Sequence, residues 1–585
     1  MTIVRAALLL AASTAIATPV VANAWDKVQA PAPAPSELNA AERAQYREVF
    51  AAIRGGRFAD AAARLDGMRD GPLHAFARAE LYTAKDSPEA SLEQLSALLA
   101  RAPELPQAAQ LVRLAARRGA TALPSIPQPQ RFDWAGSQPR RERAKSVKGD
   151  PVAAQIEPVI SKMIVDDQPA AAETLLISRE AEIGPQALTE LQQRIAWSYY
   201  LIGDNISARR LADKARRGVG DWALQGEWTH GLASWRMQDC DNAAYSFGTV
   251  AGRSSDAELA AAGHYWAARA DMMCGRPQQV QGRLRVAARA NETFYGLLAA
   301  TALGMKAPGP GIHNYRDAEW RNVAGRPNVK AAIALAEIGE TDLAGETIQH
   351  QARINPADHD AMLHLASDLS LAQTQMWLAH NVPSGKRVAF TARYPAPDWR
   401  PARGWRVDPS LAYAHALQES NFRTKAVSHA NAHGVMQVVP GTAGDIARKR
   451  GDPFSREMLF DPNVNVEYGQ SYLEYLRDYS GTGGLLPKVI AAYNAGPAPI
   501  SRWNEQQMAG GDPLLYIESI PYWETRGYVP IILRNYWVYE QQAGKTGSAS
   551  RQALAQGMWP RFPGLSGPTA VRIAPQRAST AYGSP

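Results

Sequence analysis

His230 and His264 stand 34 residues apart, and Cys240 and Cys274 repeat that interval. Three segments align around it: IAWSYYLIGDNISARRLA (195–212), HGLASWRMQDCDNAAYSF (230–247) and HYWAARADMMCGRPQQVQ (264–281). Each carries aromatic residues in a first helical stretch, then a polar turn, then a second helical stretch. A helix–turn–helix unit of this length cannot bury its apolar face alone. It must stack on its neighbours, and the stack winds into a superhelix. Strand-like alternation is almost absent along the chain, so the sequence reads as mainly all-α. At 585 residues it holds several domains.

The period is that of TPR-like stacking; it runs from about 151 to 310, within an expected superhelical domain of residues 40–310. The chain begins MTIVRAALLLAASTAIATPVVANA. Arg5, the apolar run Ala6–Ala17 and the Ala22-Asn23-Ala24 site make residues 1–24 a signal peptide, too short for a membrane anchor. The expected location is therefore the periplasm, with no integral membrane span. Residues 25–39, containing VQAPAPAPS, form a Pro/Ala linker. Export permits a Cys240–Cys274 disulfide, and two separate buried thiols are the alternative; spacing alone leaves this open. The net charge of +7 is small against 63 basic and 56 acidic residues, and no nucleic-acid motif accompanies it. The basic stretch RRERAKSVK (140–148) reads as a solvated surface, with contact to an anionic polymer the lesser reading. Residues 546–585, rich in Pro, Gly and Ser, are expected to be disordered.

Chemistry concentrates after residue 391. In GWRVDPSLAYAHALQESNFRTKAVSHANAHGVMQVVPGTA (404–443), Asp408 is the expected N-cap with Pro409 in the first turn. Leu411, His415, Gln418, Glu419 and Phe422 recur at helical spacing, which puts Glu419 on a buried face. A carboxyl withdrawn from water has a raised pKa, as a general acid at neutral pH requires. A structural, salt-bridged glutamate is the competing reading. His429 and His433 sit in a loop without further ligands, so no metal is expected.

Four motifs in order, ALQESNF, Ser428, HGVMQVVPGTA and AAYNAG (491–496), resemble the soluble lytic transglycosylases of the bacterial wall. The resemblance implies a lysozyme-like α-helical catalytic domain over 391–545. ETFYGLLAATALGM (292–305) and RPNVKAAIALAEIGETDLAGE (326–346) resemble the end of that family's superhelix and its linker helices, here 311–390. The implied reaction is non-hydrolytic cleavage of the β-1,4 bond between N-acetylmuramic acid and N-acetylglucosamine. Glu419 would act as acid and then base, giving a 1,6-anhydro end without metal or organic cofactor. The same resemblance assigns Ser428 to support of the loop, and Met436, Gln437 and Val439 to the sugar cleft. The family usually has Met at the position of Val439, and an aliphatic residue at that of His415. Tyr493 matches a tyrosine that bonds the glutamate or the sugar, with Asn494 attached to it. Asn465, Gly469 and Tyr472 match family positions too. Glu524, in IPYWETRGYV, either supports the site or is a plain acid at a helix N-terminus. Peptidoglycan strands are the implied partner; cell-wall synthesis or division proteins would be further ones, which no residue specifies. A lysozyme-type hydrolase and a non-catalytic glycan-binding scaffold are the rival readings.

Overall fold

The computed structural model describes residues 36–122, 124–305, 317–505 and 511–574. The expected signal peptide and most of the expected linker fall outside them. The described residues are overwhelmingly helical, with only two-residue strand pairs. None of their helices is long and apolar enough to cross a membrane.

The repeat is formed by the helices Pro185–Leu201, Asn205–Arg216, Asp221–Arg236, Cys240–Arg253, Ala257–Met273 and Pro277–Arg289. Asp204 and Asp239 cap equivalent second helices, accepting from the backbone N–H of Ser207 and Asn242. Aromatic side chains interlock between units: Trp228 meets Phe247 edge-on at 5.1 Å, and Trp235 meets Trp266 at 5.3 Å. At Gly263 a methyl group would come within 2.7 Å of the Ala251 backbone, so close helix crossing demands the glycine. Cys240 and Cys274 are disulfide-bonded, with Cα atoms 5.6 Å apart. The bond ties the start of one helix to the end of the next unit's first helix.

Two cores divide the chain differently from the expected 40–310 and 311–390 blocks. The helices between Ala40 and Arg117 share one core with those between residues 317 and 380. Glu337 holds them together, accepting from the backbone N–H of Glu37 and Leu38 and from Arg43 Nε at 2.8, 3.2 and 2.9 Å. Among the N-terminal helices, Ala40–Arg54 packs on Pro327–Ile338, whose Val329, Ala332 and Ile333 belong to the same core. The second core joins the superhelix to buried side chains between Tyr394 and Phe562.

At that junction Phe294 stacks on Trp537 at 5.1 Å. Glu518, 1% exposed, accepts from Arg141 and, at 2.6 Å, from the Tyr295 hydroxyl. Arg141 is thus a buried ion-pair partner rather than a solvated charge, while Arg140, Arg143, Lys145 and Lys148 of the same stretch are exposed. The expected disordered tail is also corrected. The Ala549–Ala555 helix and the pair Trp559–Pro560 with Ala570–Val571 pack Leu554, Trp559 and Phe562 into the core. A few large apolar residues suffice when each finds a niche, which composition alone does not register. Residues 575–585 lie outside the described residues.

Candidate active site

Glu419 sits in the last turn of the Pro409–Ser420 helix. Asp408 caps that helix as expected, accepting from Ser410 N–H at 2.9 Å. Asn421 ends it in the left-handed conformation, with φ 50°, and Phe422 follows at φ 61°. Two non-glycine residues in that region are a costly reversal. The turn drives Phe422 into the core and leaves Glu419 at the lip. Leu411 and His415 are buried, but Gln418 is exposed, so the expected face is narrower by one residue.

The carboxyl of Glu419 is largely withdrawn from water. Burial pushes its pKa up to about 7, opposed by a hydrogen bond from Tyr528 and assisted by the charge of Glu524. The Tyr528 hydroxyl donates to Glu419 Oε1 at 2.5 Å and lies 2.8 Å from His415 Nδ1. A phenol has one hydrogen; with the carboxylate taking it, the His415 ring is the donor in the second contact. His415 is fully buried, burial pulls its pKa down to about 3, and its Nε2 has no hydrogen-bond partner. The ring is therefore neutral, and its one N–H fixes the orientation of the Tyr528 hydroxyl. Tyr528 was not singled out from sequence. It lies one turn beyond Glu524 on the Trp523–Gln542 helix, and that spacing was the available signal.

Tyr493, expected to bond the glutamate or the sugar, bonds the loop that follows the Glu419 helix. Its hydroxyl donates to the Met436 carbonyl at 2.8 Å, and its ring lies 4.4 Å from that of His415. It braces the loop rather than bonding the glutamate. Met436 is fully buried against Gly469, where a methyl group would come within 2.4 Å of its sulfur. The side chain anchors the loop from beneath and does not line a cleft. The absence of a side chain at Gly469 is thus what lets this loop pack so closely.

Asn465, on the Pro462–Asp478 helix, organises the same loop. It accepts from Met436 N–H at 2.8 Å and donates to the carbonyls of His433 and Leu459 at 2.8 and 2.9 Å. A side chain at Gly434, φ 75°, would collide with that amide at 2.2 Å. Gln437 takes φ 50° and donates to the Gly434 carbonyl at 2.8 Å. Ser428 accepts from Ala432 N–H at 3.0 Å, which closes the loop's outer turn. Val439 is 44% exposed at the lip. His433 is buried and engages Asn431, while His429 is exposed, so the two do not converge.

Asn494, at the end of the Leu486–Ala495 helix, accepts from the Thr525 hydroxyl at 2.6 Å and donates to Glu524 at 3.3 Å. Glu524 is exposed in the first turn of its helix, where the helix dipole favours its charge, and Asn494 links it to the neighbouring helix. The arrangement can give a proton at neutral pH and then stabilise the resulting carboxylate through Tyr528.

Residues 400–515 match the family model described as "Transglycosylase SLT domain". A Salmonella typhimurium protein named soluble lytic murein transglycosylase is 38% identical over 173 residues, which is 28% of this chain and 25% of that protein. A protein of the same name from Escherichia coli K12 is 38% identical over 132 residues, 22% of this chain and 20% of that one. These matches thus span a quarter or less of the curated relatives' length. The crystal structure of the 70 kDa soluble lytic transglycosylase from Escherichia coli is similar with a TM-score of 0.57 and 18% identity, over 89% of this chain and 99% of that one. The superhelical, mainly α fold is shared.

Proposed function

We propose, from the match of residues 400–515 to the transglycosylase SLT domain family, that the chain cleaves peptidoglycan between N-acetylmuramic acid and N-acetylglucosamine without consuming water. The observation that carries the reading is one withdrawn carboxyl, Glu419, whose pKa of about 7 poises it to donate and reclaim a proton. Glu419 protonates the glycosidic oxygen as its bond to C1 of the muramic sugar breaks. The substrate's N-acetyl group shields the cationic C1, and the carboxylate left behind is held by the Tyr528 hydroxyl. That carboxylate then takes the proton of the C6 hydroxyl, whose oxygen closes on C1. The product is a 1,6-anhydro end, and Glu419 is again protonated.

In this scheme Tyr493, Met436, Asn465 and Ser428 hold the loop that bears Gln437 and Val439 along the sugar, and Asn494 holds Glu524. The expected export signal fits a periplasmic enzyme working on wall polymer. Glu524 supports a second reading: its charge acts on Glu419, so it could serve as the base of a hydrolase. Mass spectrometry of products from purified murein separates the two. Anhydro-muramic ends support the proposal; reducing ends, heavier by one water, overturn it in favour of hydrolysis.

A further inference from the structure

The Trp523–Gln542 helix has two working faces. Thr525 and Tyr528 turn toward the candidate active site. Trp523 and Arg526 turn the other way, into a cavity of about 180 Å³ between that helix, the superhelix and the 141–144 segment. Arg526 is sandwiched there, its guanidinium 4.3 Å from the centre of the Trp197 ring and 5.0 Å from that of Trp523. Its side-chain hydrogen bond goes to the Ile520 carbonyl at 3.0 Å, and no carboxylate pairs with it among the described residues. Burial, aided by the charges of Arg141 and Arg143 and opposed by that of Glu518, pulls its pKa down to about 10.

The neighbouring charges do not neutralise this one. Glu518 is already engaged by Arg141 and the Tyr295 hydroxyl. Arg194, on the far wall, is held by Glu157 and Glu190. Arg143 stands exposed at the mouth with no carboxylate partner among the described residues. No aspartate or glutamate lines the cavity, whereas Trp222 and Trp228 add two more indole surfaces. An unpaired guanidinium held out of water is costly, and an anion entering from outside would relieve it. A forked guanidinium matches a carboxylate in two hydrogen bonds, and indole faces match a ring or apolar body beside it.

We propose that this cavity is a second binding site, taking a small organic carboxylate between Arg526 and Arg143 with its body against Trp197 and Trp523. The choice of a wall sugar acid as the natural class rests on the proposed activity, because muramic sugars and their peptides carry such carboxylates. The site itself does not depend on that reading.

The test is a tryptophan-fluorescence titration of the full chain with N-acetylmuramic acid, using N-acetylglucosamine as the ring without the carboxylate and inorganic phosphate as the anion without the ring. The expected result is a saturable change with N-acetylmuramic acid, at least fivefold weaker for either control. Arg143→Glu, at an exposed position, is expected to weaken binding at least tenfold, and Arg526→Gln to do the same with an unchanged circular dichroism spectrum. Glu419→Gln should bind as tightly as the unaltered chain, so loss of murein cleavage and loss of this site are read separately. Equal affinity in Arg143→Glu and the unaltered chain would overturn the site. So would the absence of a saturable change, or N-acetylglucosamine or phosphate binding as tightly as the sugar acid.

Discussion

At the scale of single residues the account rests on Glu419, Tyr528 and His415. Tyr528 stabilises the charged form of Glu419, so Tyr528→Phe should raise the acid's pKa. The alkaline limb of the rate profile then moves up by about one pH unit, since a hydrogen bond to a charged group is worth about 1.5–3 kcal/mol. Murein release at neutral pH should fall at the same time. His415→Leu should shift the limb in the same direction by less, because it only frees the orientation of the Tyr528 hydroxyl. Stability should move oppositely to function. Glu419 has its folded pKa raised, so the stability of its neutral form is complete below about 4.5 and is lost as pH rises through about 7. Glu419→Gln should therefore be more stable than the unaltered chain at pH 8, by roughly 3 kcal/mol, with the gap closing by pH 4. Equal melting curves at both values would contradict the withdrawn carboxyl. The acid's burial was legible from spacing, because helical periodicity reports which side of a helix is wet. Its partner was not, because which phenol reaches a carboxyl across 109 residues of sequence is settled by packing.

At the scale of elements, the loop from Ser428 to Val439 is held from below by Asn465, Tyr493 and Gly469. Asn465 is fully buried with three backbone partners. Asn465→Ala should strand them at a cost of about 3 kcal/mol and lower murein release without moving the pH limb; thermal melts and rate profiles check both halves. The motif was visible in sequence, but its meaning was partly inverted. Met436 was expected in the cleft and is an anchor, because a methionine next to a loop glycine reads alike whether it points up or down. The disulfide belongs to this scale too. Closing a loop of 34 residues should stabilise the superhelix by about 3–4 kcal/mol. Reduction should lower the melting temperature and leave the pH profile unchanged.

At the scale of the molecule, two cores replace the simple succession of scaffold, linker and catalytic domain. The 34-residue period revealed the superhelix, since every unit repeats its own local signal. The return of the N-terminal helices to Glu337 carries no such signal, being a pairing across 300 residues. The order of the tail carries no composition signal for a related reason: Trp559 and Phe562 matter through the niches they fill, not their number. Truncation after residue 545 should uncover those niches and lower the melting temperature by several degrees; an unchanged melt would show the tail to be dispensable. All of these arrangements converge on one carboxyl, and the most direct test is the rate at which the full chain with Glu419→Gln releases soluble fragments from purified murein. A fall of about 10²–10⁴-fold is expected, the range of a lost general acid, with the circular dichroism spectrum unchanged. Release at the unaltered rate would contradict it.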